Sequence, residues 1–309
     1  MISNPNIEKK VNLWIRFILE RVELVFGYFF IFKIRSIKTD RILPDYSSYP
    51  EVGADVAILM QGPVIKKAGF TYETLKLYRK IYPDINIILS TWTYSDKVIL
   101  DEISKLNIKI IKSDLPAFAG DSNINYQIKS TIAGLKVADE DKVKYVLKTR
   151  TDQRIYSGSD YISFMVRILD DFPVRSEHLQ KRLIVCNLNM FRRRKYNISD
   201  MFMFGALADM KLYWEVPFQD KVLIEDRNKE FFENRLAEAH FVDCFFKNTG
   251  FVPKKTRDDS DRFIHRYFYV IDKNVIDLFW YKYNHNYERS TIVVDDTEDR
   301  VYSTLDCRS

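Results

Sequence analysis

Cysteine is scarce in this chain. There are three, Cys186, Cys244 and Cys307, and no Cys-x-x-Cys pair. That excludes a disulfide framework and a thiolate zinc site, and it points to a reducing compartment. The four histidines (His178, His240, His265 and His285) show no metal-ligand spacing, which disfavours a zinc enzyme. Glycine and proline are also few, 9 of each in 309 residues, so the chain is neither low-complexity nor disordered. No uncharged apolar run reaches the roughly eighteen residues of a spanning helix. The N-terminal stretch lacks the apolar core and small-residue cleavage site of a signal peptide. Several signatures of phosphate and nucleophile chemistry are missing too. Gly62-Pro63-Val64 leads into no Gly-Lys-Ser/Thr ending, so there is no Walker loop. No Gly-x-Gly-x-x-Gly follows the first strand, and neither a Gly-x-Ser-x-Gly elbow nor the kinase signature set occurs.

Aromatic residues, by contrast, are abundant: 22 Phe, 19 Tyr and 4 Trp. Lys and Arg exceed Asp and Glu by 48 to 43, a net charge of +5. So mild an excess suits anionic partners such as nucleotides, phosphorylated glycans or an acidic membrane face. Nucleic acid fits poorly, because the basic residues make one short run, Arg192-Arg193-Arg194-Lys195, outside any reader module. That run reads as a contact for an acidic acceptor or as a solvated loop.

Residues 7–35 read as one amphipathic helix, with Leu13, Phe17, Leu24 and Ile31 near helical spacing. It suits either an anionic membrane surface or packing on protein. Residues 36–54 hold Pro44, Pro50 and Gly53 and read as a linker, so residues 1–53 form an N-terminal segment ahead of a main domain over 54–289 and a tail over 290–309. In the main domain, Val56-Ala-Ile-Leu-Met60 is a buried strand, residues 71–82 a helix with Thr71 as N-cap, and residues 86–90 a strand. A helix over 95–106, a strand over 108–111, a helix over 123–138 and the strand Tyr145-Val146-Leu147 follow. That alternation predicts an α/β fold, a Rossmann-type sheet flanked by helices, with its ligand at the strand C-terminal ends. Residues 54–156 are then the nucleotide-binding half and 157–289 the acceptor half, where 199–205 reads as a strand opening at Asp200 and 230–248 as a long helix.

Four motifs sit on this frame: Ile58-Leu-Met-Gln-Gly-Pro63, Asn123-x-Asn125-x-Gln127, Lys148-Thr-Arg-Thr-Asp-Gln-Arg154 and Ser199-Asp-Met-Phe-Met-Phe-Gly205. In order and spacing they resemble the WavE family, linked to bacterial lipopolysaccharide core and surface-glycan synthesis. The layout is similar to that of a GT-A glycosyltransferase, in which the first half holds a nucleotide-sugar donor and the second a glycan or lipid-linked acceptor. The resemblance implies that Gln61 and Gly62 let the first loop approach the nucleotide, that Thr91 and Asp114 edge the base or ribose, and that Asn125 and Gln127 reach the donor. It implies Asp152 as ligand of a divalent metal, Mn or Mg. Arg150 stands where the usual metal-binding motif has its first Asp, so Arg150 and Arg154 are candidates to neutralise the diphosphate themselves. Asp200 and Glu238 are the candidate catalytic bases for the acceptor hydroxyl.

The expectation is therefore a cytoplasmic glycosyltransferase at the inner face of the membrane, touching it through residues 7–35. The rivals are a sugar nucleotidyltransferase, whose Gly-rich signature loop is absent from residues 61–67, and a non-catalytic assembly protein of the glycan machinery.

Overall fold

The computed structural model describes residues 53–157, 159–191, 194–220 and 237–281, together with Trp14, Phe17, Ile18, Arg21, Lys38 and Thr39. The chain divides into two compact units, Met1–Ser36 and Ile37–Ser309. In the first, the four described residues are helical and exposed, and the Arg21 guanidinium lies 5.4 Å from the centre of the Phe17 ring. The rest of the expected helix over 7–35, the residues Arg192 and Arg193, the first part of the helix expected over 230–248 and the tail over 290–309 lie outside the described residues. No helix among the described residues is long and apolar enough to cross a membrane.

In the second unit the continuous apolar runs become central strands. β1 (Val56–Gln61), β2 (Asn86–Trp92), β3 (Lys109–Ser113) and β4 (Tyr145–Arg150) are mutually parallel. β6 (Leu183–Cys186), β7 (Met203–Ala206) and β8 (Phe268–Ile271) complete a seven-stranded sheet ordered β3-β2-β1-β4-β7-β6-β8. β7 runs antiparallel to both neighbours, while β8 is parallel to β6. A separate antiparallel pair joins β5 (Gln153–Ile155) to β9 (Leu278–Trp280). The helices are α1 (Phe70–Ile81), α2 (Lys97–Ser104), α3 (Ile124–Glu140), α4 (Tyr161–Asp171), α5 (Leu207–Trp214), α6 (Ala237–Thr249) and α7 (Arg257–Tyr267). The sheet flanked by helices is the α/β fold class expected from the sequence; the alternation predicts its parallel half, β1 to β4, and the antiparallel β7 makes the whole sheet mixed.

Strand periodicity sorts the core into two layers. Ala57 and Leu59 of β1 join α3, α5, α6 and α7 on one face. Val56, Ile58 and Met60 join α1, α2 and α4 on the other. The first layer is rich in rings: Phe245 alone lies within 5.4 to 6.1 Å of Tyr213, Phe263, Tyr267 and Phe268, centre to centre. Such edge and tilted contacts add to simple area burial.

Two local expectations need correcting. Thr71 is not the N-cap of α1. The helix starts one residue earlier, and its cap position is Gly69, in the left-handed region at φ 63°. The Thr71 hydroxyl instead accepts from the Ile65 N–H at 2.8 Å and donates to the Thr151 carbonyl at 3.0 Å, tying the β1–α1 loop to the turn after β4. The strand expected from residue 199 begins only at Met203. Its predicted start is occupied by local side-chain bonds: the Asn197 side-chain Oδ1 accepts from the Phe191 N–H at 3.2 Å and the Ser199 hydroxyl from the Met201 N–H at 3.4 Å. Such bonds compete with a ladder, and they leave Asp200 on a bend rather than in the sheet.

At Gly134, α3 packs directly against β1. A Cβ there would meet the Leu59 side chain at 2.1 Å. Gly134→Ala is therefore expected to destabilise the fold by about 1–3 kcal/mol through overpacking, despite the better helix propensity of alanine; the midpoint of urea unfolding checks this.

Candidate functional site at the strand ends

The parallel strands β1, β2, β3 and β4 deliver their C-terminal ends to one rim. β1 leads there into Gly62, held at φ +123°, a conformation that favours glycine. A Cβ at Gly62 would stand 2.8 Å from the Thr151 hydroxyl, so the β1 loop lies directly against the turn after β4. Gln61 is buried, and its side-chain carbonyl accepts from Ser130 of α3 at 2.8 Å. Farther out, Thr91 at the end of β2 is buried and shares a 2.9 Å bond with Ser95. Asp114, just past β3, is exposed and accepts from Thr93 at 2.8 Å.

The end of β4 carries a locked ion pair. Arg150 grips Asp152 with two donors, Nε at 2.8 Å to Oδ1 and a terminal nitrogen at 3.0 Å to Oδ2. The Trp280 indole N–H donates to the same Oδ2 at 3.0 Å, and the Tyr281 N–H to the Asp152 carbonyl at 2.7 Å. The guanidinium also stands 5.9 Å from the centre of the Trp280 ring. Burial works to raise the Asp152 carboxyl, but the Arg150 charge and these hydrogen bonds outweigh it and hold the carboxyl below its usual range. Burial likewise opposes the charge on Arg150, and Asp152 overcomes it and raises the guanidinium further. Both groups keep some solvent contact, so the rim carries a preorganised ion pair.

Behind it lies a second constellation. Lys148, two residues earlier on the same face of β4, is fully buried. Its ammonium donates to the Asp200 backbone carbonyl, donates to Gln127 Oε1 at 3.4 Å, and stands 4.2 Å from the centre of the Trp214 ring. The Gln127 amide donates to Asp200 Oδ2 at 2.6 Å. Burial pulls the Lys148 amine down to about 7, against the opposing pull of the Asp200 charge. Glu238 lies on α6, and its charge acts on Arg150 and on the buried Tyr213 of α5. Structure thus gathers Gln127, Arg150, Asp152, Asp200 and Glu238, expected from sequence, around Lys148, Trp214 and Trp280, to which sequence reasoning assigned no role. For Lys148 a signal existed: a lysine inside an otherwise apolar central strand. For Trp280 none did, because its bond to Asp152 spans 128 residues.

Two expected residues are committed elsewhere. Arg154 is fully buried and bonds Thr74 at 2.8 Å, the Phe70 carbonyl at 2.9 Å and the Tyr156 hydroxyl at 3.2 Å. It is an internal strut between β5 and α1. The Asn125 amide donates to the carbonyls of Phe118 at 3.0 Å and Gln219 at 2.8 Å, and accepts from the Gln219 N–H at 2.8 Å. It clamps the chain after α5 onto the start of α3. The donor set around Asp152, as arranged, does not fit a divalent ion. Both carboxylate oxygens already accept from cationic or indole donors, and among the described residues no group of three His, Cys, Asp or Glu side chains could hold one.

No curated protein matches the chain. Among solved structures it is similar to a 4-diphosphocytidyl-2C-methyl-D-erythritol synthase from Anaerococcus prevotii, at 13% identity over 63% of this chain and 100% of that one, with a TM-score of 0.35. It is also similar to mouse xyloside xylosyltransferase 1, apo form, at 10% identity over 72% of this chain and 86% of that one, with a TM-score of 0.33. The family model for WavE lipopolysaccharide synthesis matches residues 56–244, a span that contains β1 to β7 and every residue of the two constellations except Trp280 and Tyr281. On that match, which covers well over half of its length, the chain belongs to the WavE lipopolysaccharide synthesis family.

Proposed function

We propose that the protein is a glycosyltransferase that moves a sugar from a nucleotide-sugar donor to a lipid-linked or other surface-glycan acceptor, with the GT-A type of site layout. The observation that carries this reading is the locked Arg150–Asp152–Trp280 group at the end of β4, beside the glycine-kinked β1 loop. In sugar transfer the leaving nucleoside diphosphate gains negative charge, and a donor array already held in place meets it without reorganisation. Asp152 in this reading is the anchor of Arg150. Gly62 lets the β1 loop backbone come close to the phosphates, and Thr91 and Asp114, one and two strands farther out, border the nucleoside. Asp200 takes the proton of the acceptor hydroxyl as general base, and Glu238 is the second candidate for that step. The protein meets the membrane face, where a lipid-linked acceptor lies, through residues 7–35, a role supported by the exposure of Trp14 and Phe17, 71% and 57%.

Thermal unfolding with a panel of nucleoside diphosphates, with and without manganese, tests the donor site. One nucleotide is expected to stabilise the protein, and Arg150→Ala is expected to weaken its binding about 10- to 100-fold, the equivalent of losing a charge-assisted bond. A panel that stabilises nothing in either condition would favour the non-catalytic assembly role. Asp200→Asn is expected to leave that binding in place and to lower turnover of the matching nucleotide sugar about 10²- to 10⁴-fold; equal turnover would pass the base to Glu238. Flotation with vesicles rich in anionic lipid tests the membrane contact. The intact chain should float, and the double variant Trp14→Glu, Phe17→Glu should remain at the bottom of the gradient.

A further inference from the structure

Lys148 has no exposed surface. It lies in the middle of the sheet, in register with Leu59 of β1 and Met203 of β7. A buried lysine is costly unless its charge is used. No carboxylate among the described residues comes within ion-pair distance of it. Its partners are a backbone carbonyl, one amide oxygen and an indole face. An apolar residue would fill this volume without the desolvation cost.

The use of that charge follows from donor counting. An ammonium has three donors and no acceptor. Gln127 must therefore show it the amide oxygen, at 3.4 Å, and this points the amide nitrogen at Asp200 Oδ2, 2.6 Å away. The second contact of Lys148, to the Asp200 carbonyl, fixes the same residue through its backbone. Asp200 Oδ1 accepts no hydrogen bond from a described residue. We propose that Lys148 is a positioning residue, which orients the Gln127 amide so that Gln127 holds one oxygen of Asp200 and leaves the other to the acceptor hydroxyl. This inference rests on the reading of Asp200 as the base of a sugar transfer.

The device responds to pH. The groups facing the Lys148 amine are Asp200 from the bend before β7, Arg150 and Asp152 from the end of β4, Gln127 from α3 and Trp214 from α5. Glu238 of α6 acts on Arg150 and Tyr213. As pH rises through about 7 the amine becomes neutral and gains a lone pair. Gln127 is then free to turn its amide, and Asp200 loses its fixed donor. Positioning is complete below that midpoint and lost above it.

Lysine Cε labelled with ¹³C in the full chain reads this directly, with Lys148→Arg identifying the signal. One lysine is expected to titrate near neutrality, and Gln127→Leu and Asp200→Asn are each expected to move its midpoint downward. A Lys148 signal that titrates with the surface lysines, or a midpoint indifferent to Gln127→Leu, would overturn the proposal. The second readout is release of nucleoside diphosphate from UDP-, GDP- and ADP-sugars as a function of pH. Wild-type kcat is expected to fall above pH about 7, and Lys148→Arg, charged throughout, to flatten that limb. Lys148→Met should lose about 10²-fold in kcat at unchanged donor KM, a magnitude typical of a misplaced catalytic group. An unaltered pH limb in Lys148→Arg, or equal kcat in Lys148→Met, counts against it. If no nucleotide sugar turns over in the wild type, the transfer reading fails on its own, and the lysine titration still decides whether Lys148, Gln127 and Asp200 are coupled.

Discussion

The two outermost charges of β4 constrain everything built around them. Lys148 and Arg150 share one face of the central strand, and neither can lie in a parallel sheet without partners. Lys148 takes its partners from α3 and from the bend before β7. Arg150 takes its own from the turn after β4 and from β9. Elements that are remote in sequence are thus drawn to one strand by the need to satisfy one buried and one half-buried cation. The resulting geometry is more restricted than apolar packing alone would give.

The glycine at the end of β1 and the threonine at the start of α1 serve the same end. Gly62 leaves room for Thr151, and Thr71 bonds the Thr151 carbonyl. The β1 loop and the β4 turn therefore form one rigid rim. The Asn125–Gln219 clamp does the equivalent work on the far side, where it secures the segment after α5 against α3. A site assembled from loops still needs fixed edges, and here side-chain to backbone bonds provide them.

Much of this frame was legible in the sequence. Continuous apolar runs marked β1, β2 and β4, because a parallel strand covered on both faces has no polar side to show. The alternation with helices gave the sheet. The polar strand ends gave the rim. What the residues did not reveal is orientation. Arg150 and Arg154 read as equivalent cations four apart, yet one ends β4 and the other sits within β5 and points into α1. Asn125 and Gln127 read as a pair, yet one faces the chain after α5 and the other the sheet. Lys148 was visible in its motif, but its meaning depends on Asp200, 52 residues later. Pattern reports periodicity within an element; it does not report which distant partner a side chain will meet.

Trp280 brings a consequence for the making of the molecule. The sheet order places β1 to β4 side by side from a contiguous stretch ending at Arg150, so this half can pair as soon as it leaves the ribosome. The ion pair at its rim is another matter. The indole that completes the grip on Asp152 arrives 128 residues later, after nearly every described element has been synthesised. A nascent or truncated chain thus holds a paired parallel half with an incomplete Arg150–Asp152–Trp280 group. Completion of that group becomes a late event, delayed until β9 has paired with β5.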